Sequence, residues 1–295
     1  MKEYCLNIAG SAIVFESAGA GSHLTVSERC SGFMDSSSGV PDILIGVHSR
    51  SFSLPREAVK VFSAPAADGI NGIGIMHSPD FWSIWKHNRH IFITTRLPLG
   101  NRSNAVLIIP MSGAVWELYV DSGGQPIDPF AYPLDGLILY YLTVIMGGIL
   151  IHASGVNLNG AGYLFCGRSG RGKTTMARLW ESCGATVIHD DRLIVRHTEA
   201  GYTMFNTPVY SGETPRLSPL GTIYAIEHGH TNTASALNGA AAATAVMANC
   251  IQHNWSAEII AGTLSTVYAL CESVCVKHLA FVPEKETVKY ITGNG

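Results

Sequence analysis

A chain of 295 residues, 47% apolar and 14% charged, has the composition of a densely packed globular protein. It has room for two domains of about 100–200 residues each, with apolar surface left over for an oligomer contact. A formal net charge of −3 gives no general electrostatic pull toward nucleic acid or anionic lipid, so neither partner is expected. The seven cysteines are odd in number and contain no C-x-x-C pair, which argues against a disulfide framework and a structural zinc site. Cys271 and Cys275, one helical turn apart if helical, read as small buried residues. The first residues, MKEYCLNIAGSA, lack a secretory charge, core and cleavage pattern, so the cytoplasm is the expected compartment.

Over residues 1–130 the runs NIAGSAIVFES, DILIGVHSR, HIFITTRL, NAVLIIP and AVWELYV alternate or are β-branched, and Gly, Pro, Ser and Asn clusters separate them. They predict a mostly β domain. Trp82, Trp85 and Trp116 fit either a peptide groove or, more commonly, a β core. DSGGQPIDPFAYPLDG, residues 121–136, punctuates the chain, and strand-length and helix-length apolar segments alternate after it. The uncharged run LILYYLTVIMGGILI, Leu137 to Ile151, is shorter than the ~20 residues a membrane span needs. It predicts a buried helix over 134–146, a Gly-Gly turn, and a strand over 149–156 that passes His152.

A second strand is expected over 161–166, a glycine-rich loop over 167–172 and a helix over 173–183. ATVIHDD predicts a strand ending in two acids, and RLIVRHTEAGYTMFN a hairpin turning at Glu199 to Gly201. A strand TIYAIEH, two Ala-rich helices between 234 and 271, a strand VCVKHLAFV and a short final helix complete the expectation. No internal repeat is visible.

GRSGRGKT, Gly167 to Thr174, matches G-x-x-x-x-G-K-[ST] between the apolar strand GYLFC and helix-forming MARLWE, the context that pattern requires. Gly167, Gly170 and Gly172 let backbone N–H groups approach anionic oxygens, and the helix N-terminus adds its positive end. Lys173 supplies a mobile charge for the β- and γ-phosphates, and the Thr174 hydroxyl suits one position on Mg2+. Arg168 and Arg171 fit equally well as solvated tips or as phosphate contacts. The nucleotide-binding stretch is therefore Gly167, Arg168, Ser169, Gly170, Arg171, Gly172, Lys173, Thr174 and Thr175.

Asp190 and Asp191 follow Thr174 by sixteen residues at a strand end, where ligands of α/β sheets collect. One carboxylate suits the metal and the other a base toward an incoming hydroxyl, since adjacent like charges push one pKa upward. His152, alone at its strand end, reads as structural when taken by itself, and His189 alternates to the face opposite Asp190.

In the spacing of these residues the chain resembles HPr kinase/phosphorylase, whose catalytic domain has a phosphate-loop fold related to nucleotide-dependent phosphoenolpyruvate carboxykinase. That family sets a catalytic-site His fifteen residues before the first loop glycine and an Asp-Asp pair twenty-three after it, as His152, Gly167 and Asp190 are set here. The resemblance implies that Asp190 is the base toward a substrate serine, that Asp191 and Thr174 lie near the metal, and that His152 assists the acid. It also points to Glu213, in YSGETPR, as a further metal-site residue, although the surrounding motif differs. Arg168 and Thr175 stand where the family usually has Asp and Glu. Its Glu-Ile-Arg-Gly signature, tied to the reverse phosphorolysis, is missing. The likeness covers about 145 to 230 and, loosely, the later helices, while the first half matches nothing in the family.

The expectation is an α/β protein, α+β overall. A β-rich N-terminal domain over 1–130, available for acceptor recognition, precedes an HPr-kinase-like ATP-binding catalytic domain over 131–295. The chain is similar to small bacterial HPr-kinase-like proteins, some of which phosphorylate a serine of a precursor peptide in lasso-peptide maturation. The implied activity is transfer of the γ-phosphoryl group of ATP, with Mg2+, to a peptide or small-protein hydroxyl. A kinase of a free small molecule such as serine and a nucleotide-binding regulatory module without transfer are the alternatives. An ABC-type motor is disfavoured by the lack of Leu-Ser-Gly-Gly.

Overall fold

Two β-sheets with five α-helices, a mixed α/β arrangement, make up residues 2–19, 23–36, 39–64, 81–97 and 103–293, which a computed structural model of the chain describes. Two compact units contain them. One comprises Met1–Ile138 with Ser211–Glu213 and His253–Trp255, and the other the rest of the chain.

The first unit holds one eight-stranded sheet. Its strands are β1 (Lys2–Ile8), β2 (Ser11–Ser17), β3 (Ile43–His48), β4 (Val59–Ser63), β5 (Trp82–His87), β6 (His90–Leu97), β7 (Ser103–Pro110) and β8 (Val115–Val120), in the spatial order β1-β2-β3-β8-β7-β6-β5-β4. The run expected as one strand over NIAGSAIVFES is cut into a hairpin because Ala9 and Gly10 both take positive φ, 54° and 80°, the backbone that a tight two-residue turn needs. Alternation sets the buried face: Ile43, Ile45 and Val47 of β3 and Trp116, Leu118 and Val120 of β8 are inside, with the residues between them partly exposed. Trp116 is therefore a core residue. Trp82 is half-buried, stacked on Phe62 at 5.1 Å and set 4.6 Å from the His253 ring, and Trp85 carries the Lys60 ammonium 5.0 Å over its face.

A helix α1 (Leu134–Ile145) spans the division between the units. The second unit then runs β9 (Ile149–Leu158), β10 (Ala161–Cys166), α2 (Lys173–Ser182), β11 (Thr186–His189), β12 (Arg192–Thr198), β13 (Gly201–Asn206), β14 (Leu217–Pro219), β15 (Thr222–His228) and β16 (Thr233–Leu237). It closes with α3 (Gly239–Met247), α4 (Ala257–Ser273), β17 (Cys275–Phe281) and α5 (Glu286–Thr292). Its nine-stranded sheet has the order β14-β13-β12-β9-β10-β15-β17-β16, with β11 also paired to β9. The strands β10, β15 and β17 are parallel, and β9 is antiparallel to β10, β11 and β12.

Period-two alternation gives this sheet two apolar faces, so helices cover both. Leu164 and Cys166 pack with Ala242, Ala243 and Val246 of α3 and Val267 and Leu270 of α4. Phe165 packs on the other side with Met176 and Trp180 of α2 and Val288 of α5. In α2 the buried positions Lys173, Met176, Ala177 and Trp180 fall at i, i+3, i+4 and i+7, one stripe of a helix.

Further expectations are corrected. Residues 234–237, placed within the first of two Ala-rich helices, belong to β16, because pairing of Thr233 through Leu237 with β17 overrides the local preference of alanine. Helix begins after it, at Gly239. The strand expected to run through both acids stops at His189, leaving Asp190 and Asp191 in a bend. Cys275 lies on β17, past the end of α4, so it does not share a helix with Cys271, and the two are not the buried pair expected: Cys275 is exposed and Cys271 only partly buried. All seven cysteines are free thiols. Among the described residues no helix is long and apolar enough to cross a membrane.

Candidate functional site

The loop from Cys166 to Lys173 is shaped by its glycines. Gly170 and Gly172 have φ of 78° and 92°, backbone that favours residues without a Cβ. Gly172 is also sterically closed: a Cβ there would lie 2.8 Å from Phe281 Cζ and 3.2 Å from His228 Cε1. At Gly167 one would lie 2.9 Å from the Ile226 carbonyl oxygen. A turn closes with Arg171 N donating to the Arg168 carbonyl at 3.2 Å, and Met176 N donating to the Gly172 carbonyl at 2.8 Å opens α2. The first-turn N–H groups of Lys173, Thr174 and Thr175 have no acceptor within the helix, and they point from its positive end.

The Lys173 side chain folds back over this loop, its Nζ donating to the Gly167 carbonyl at 2.8 Å and to that of Arg168 at 3.4 Å. Burial lowers its pKa, opposed by Cys166 and the Asp191 charge.

Strand register brings the remaining groups to the same edge of the sheet. Cys166, the last residue of β10, pairs with Ala153, so His152 lies one step further toward the loop. On the other side of β9, His152 is the register partner of Arg192, the first residue of β12. The bend at 190–191 is therefore held at that edge, and Ala153 N donates to the Asp191 carbonyl at 3.0 Å. Cys166 also pairs with Ala225 of β15, which runs three residues further and ends at His228.

A cleft of about 320 Å³ opens there. Ser169, Gly170, Gly172, Lys173, Thr174 and Thr175 line it from the loop and α2, and His152, Asp190 and His228 from three other segments. Of the residues singled out in the sequence, Gly167, Arg168, Arg171 and Asp191 stand outside this lining. Arg168 and Arg171 are exposed, and Glu213 belongs to the segment Ser211–Glu213 grouped with the first unit.

The two acids have different surroundings. Asp191 Oδ1 lies 3.3 Å from His152 Nε2, and its Oδ2 lies 3.6 Å from Arg192 Nε. Burial pushes the Asp191 carboxyl up, but the hydrogen bond from His152 and the charges of Arg192, His152 and His189 outweigh it and hold the pKa below the ordinary value. Asp190 instead lines the cleft. His189 is buried, its ring 5.5 Å from that of Tyr210.

Two members of this site carry no sequence signal of their own. Arg192 follows the acid pair but is tied to it only through the pairing of β12 with β9. His228 closes the strand TIYAIEH, and its place beside the loop depends on the sheet order, which local pattern does not encode.

The chain is similar to the family described as ScmC, SynChlorMet cassette protein ScmC, over residues 135–266, less than half of its length. That span includes the loop, His152 and both acids. No curated protein matches the chain. Among solved structures, the Hpr(Ser) kinase/phosphatase from Coxiella burnetii superposes with a TM-score of 0.30 at 9% identity, over 48% of this chain and 91% of that one.

Proposed function

We propose that this chain is a kinase, cytoplasmic, that transfers the γ-phosphoryl group of ATP to a hydroxyl, that of a serine in a peptide or small protein. The observation that carries the reading is that Asp190 and His152 line the same cleft as Lys173 and Thr174. A cation, helix-terminal N–H groups, a hydroxyl and a carboxylate thus face one space, the set that phosphoryl transfer uses for positioning and charge stabilisation. The serine acceptor is supported by the spacing of His152, Gly167 and Asp190 that the chain shares with HPr kinases.

In this reading the loop N–H groups hold the phosphates and Lys173 turns from the Gly167 and Arg168 carbonyls to them. Asp190 accepts the proton of the acceptor hydroxyl. It is favoured over its neighbour because Asp191 is engaged by His152 and Arg192. Asp191 in turn orients the His152 ring beside the reacting groups.

The donors fit Mg2+. Thr174 and Asp191 offer hard oxygens, and this ion is commonly held by one or two carboxylates together with substrate phosphates rather than by a protein cage. Among the described residues no group of three or more His, Cys, Asp or Glu forms such a cage. Thr174, which lines the cleft, would hold the ion together with the substrate phosphates, and the ion when bound would neutralise charge on their oxygens.

Incubation with γ-labelled ATP and a panel of serine-containing peptides, proteins and free serine tests the reading. Label transferred to a peptide or protein by the wild type and lost in Asp190→Asn is the expected result. Tight ATP binding without transfer to any acceptor would instead make the chain a nucleotide-binding module, and transfer to free serine would make it a small-molecule kinase.

A further inference from the structure

One group in the cleft has no part in the chemistry proposed above. His228 is exposed at the end of β15, and its backbone is fixed by pairing with Phe281 and by Gly229 N donating to the Phe281 carbonyl at 2.9 Å. Its ring lies 5.3 Å from that of the buried Phe281. The pair packs on the last loop glycine, where a Cβ would meet both rings. The imidazole is thus held against the loop at the start of α2, with the cleft in front of it.

The sheet order sets His228 and the acids on opposite flanks of the loop. β10 carries the loop, β9 with His152 and the bend at Asp190 lies on one side of β10, and β15 with His228 lies on the other. Phosphoryl transfer requires the attacking and leaving oxygens roughly in line through phosphorus. An acceptor held at Asp190 therefore directs the leaving phosphates away from the acids, and the α-phosphate and ribose follow on the far flank. An imidazole there offers an N–H donor to those oxygens.

We infer that His228 is a nucleotide-binding residue that contacts the α-phosphate and ribose end of ATP, a contact resting on the kinase reading above. It sets affinity for the nucleotide and leaves the transfer step alone.

The test measures binding of ATP and ADP, with Mg2+, to the wild type, His228→Ala and His228→Gln by calorimetry, alongside kcat and KM for transfer. Loss of one such contact weakens binding by about five- to twentyfold. ATP and ADP are expected to weaken equally in His228→Ala, because both keep the α-phosphate and ribose, with kcat within about twofold of wild type. His228→Gln keeps an N–H donor and is expected to regain part of the affinity; it is the variant read if His228→Ala melts at a lower temperature. Unchanged affinity, weakening confined to ATP, or a fall in kcat at constant KM would each overturn the inference while the kinase reading stands. A wild type that binds neither nucleotide overturns both.

Discussion

His152 and Asp191 meet across paired strands, Nε2 to Oδ1 at 3.3 Å, although thirty-nine positions separate them in the chain. The pairing of His152 with Arg192 brings them together, and it gives the tandem acids unequal roles. Asp191 is engaged by His152 and Arg192, and Asp190 lines the cleft.

Exchanging each acid for its amide separates those roles. Asp190→Asn is expected to lower transfer by about 10²–10⁴-fold, the usual worth of a positioned base, with ATP affinity within about twofold of wild type. Asp191→Asn removes the anchor of His152 and is expected to alter the pH profile of transfer. Parallel calorimetry and pH–rate measurements check both, and equal rate losses with identical profiles would remove the distinction.

Asp191 also has a thermodynamic signature. Its pKa is lower in the folded protein than in the unfolded chain, so its contribution to stability is fully present above the unfolded value of about 4 and is lost as pH falls through the lower folded value. The gap in urea midpoint between wild type and Asp191→Asn is therefore expected to be widest near neutrality and to close below about pH 4. A gap that grew in acid would reverse the sign.

His253 gives a second pH dependence, in a different range. Burial lowers its pKa to about 3, so below about 6.5 the unfolded chain takes up a proton that the folded protein refuses. Stability is full above that value and declines as pH falls toward 3. His253→Phe, which keeps an aromatic ring against Trp82, is expected to flatten the part of the decline between those limits, as read from denaturation midpoints at pH 7, 5.5 and 4.5.

The loop glycines are expected to differ in cost. Gly170→Ala meets only its positive φ, since no atom lies within 4 Å of the added Cβ, and should cost about 1–2 kcal/mol. Gly172→Ala adds a clash with Phe281, so it should cost more and weaken ATP binding as well. Chemical denaturation and calorimetry on the two variants check the order.

Much of the second unit is legible locally. The bounds of β10 and the start of α2 follow from an apolar run, a glycine cluster and a helix-forming stretch, and the Gly-Gly pair at 147–148 separates α1 from β9. What escapes depends on distant partners. β16 carries alanines that suit a helix, and only β17 makes it a strand. The strands β4 and β5 lack a long alternating run and are held by β6 through its pairing with β5. In the site, the loop residues, His152 and Asp190 stand out by motif and spacing. His228 does not, because its relevance comes from β15 overrunning β10.

Strand β9 pairs with β10, β11 and β12, and the His152 amide donates to the Asn249 carbonyl at 3.0 Å. The histidine and the acid bend are thus gauged from a single interior ruler, not from surface segments that breathe separately. Backbone amides around 151–156 should exchange with deuterium only when the whole unit opens, so any solvent condition that leaves the unit folded leaves the spacing of these groups intact.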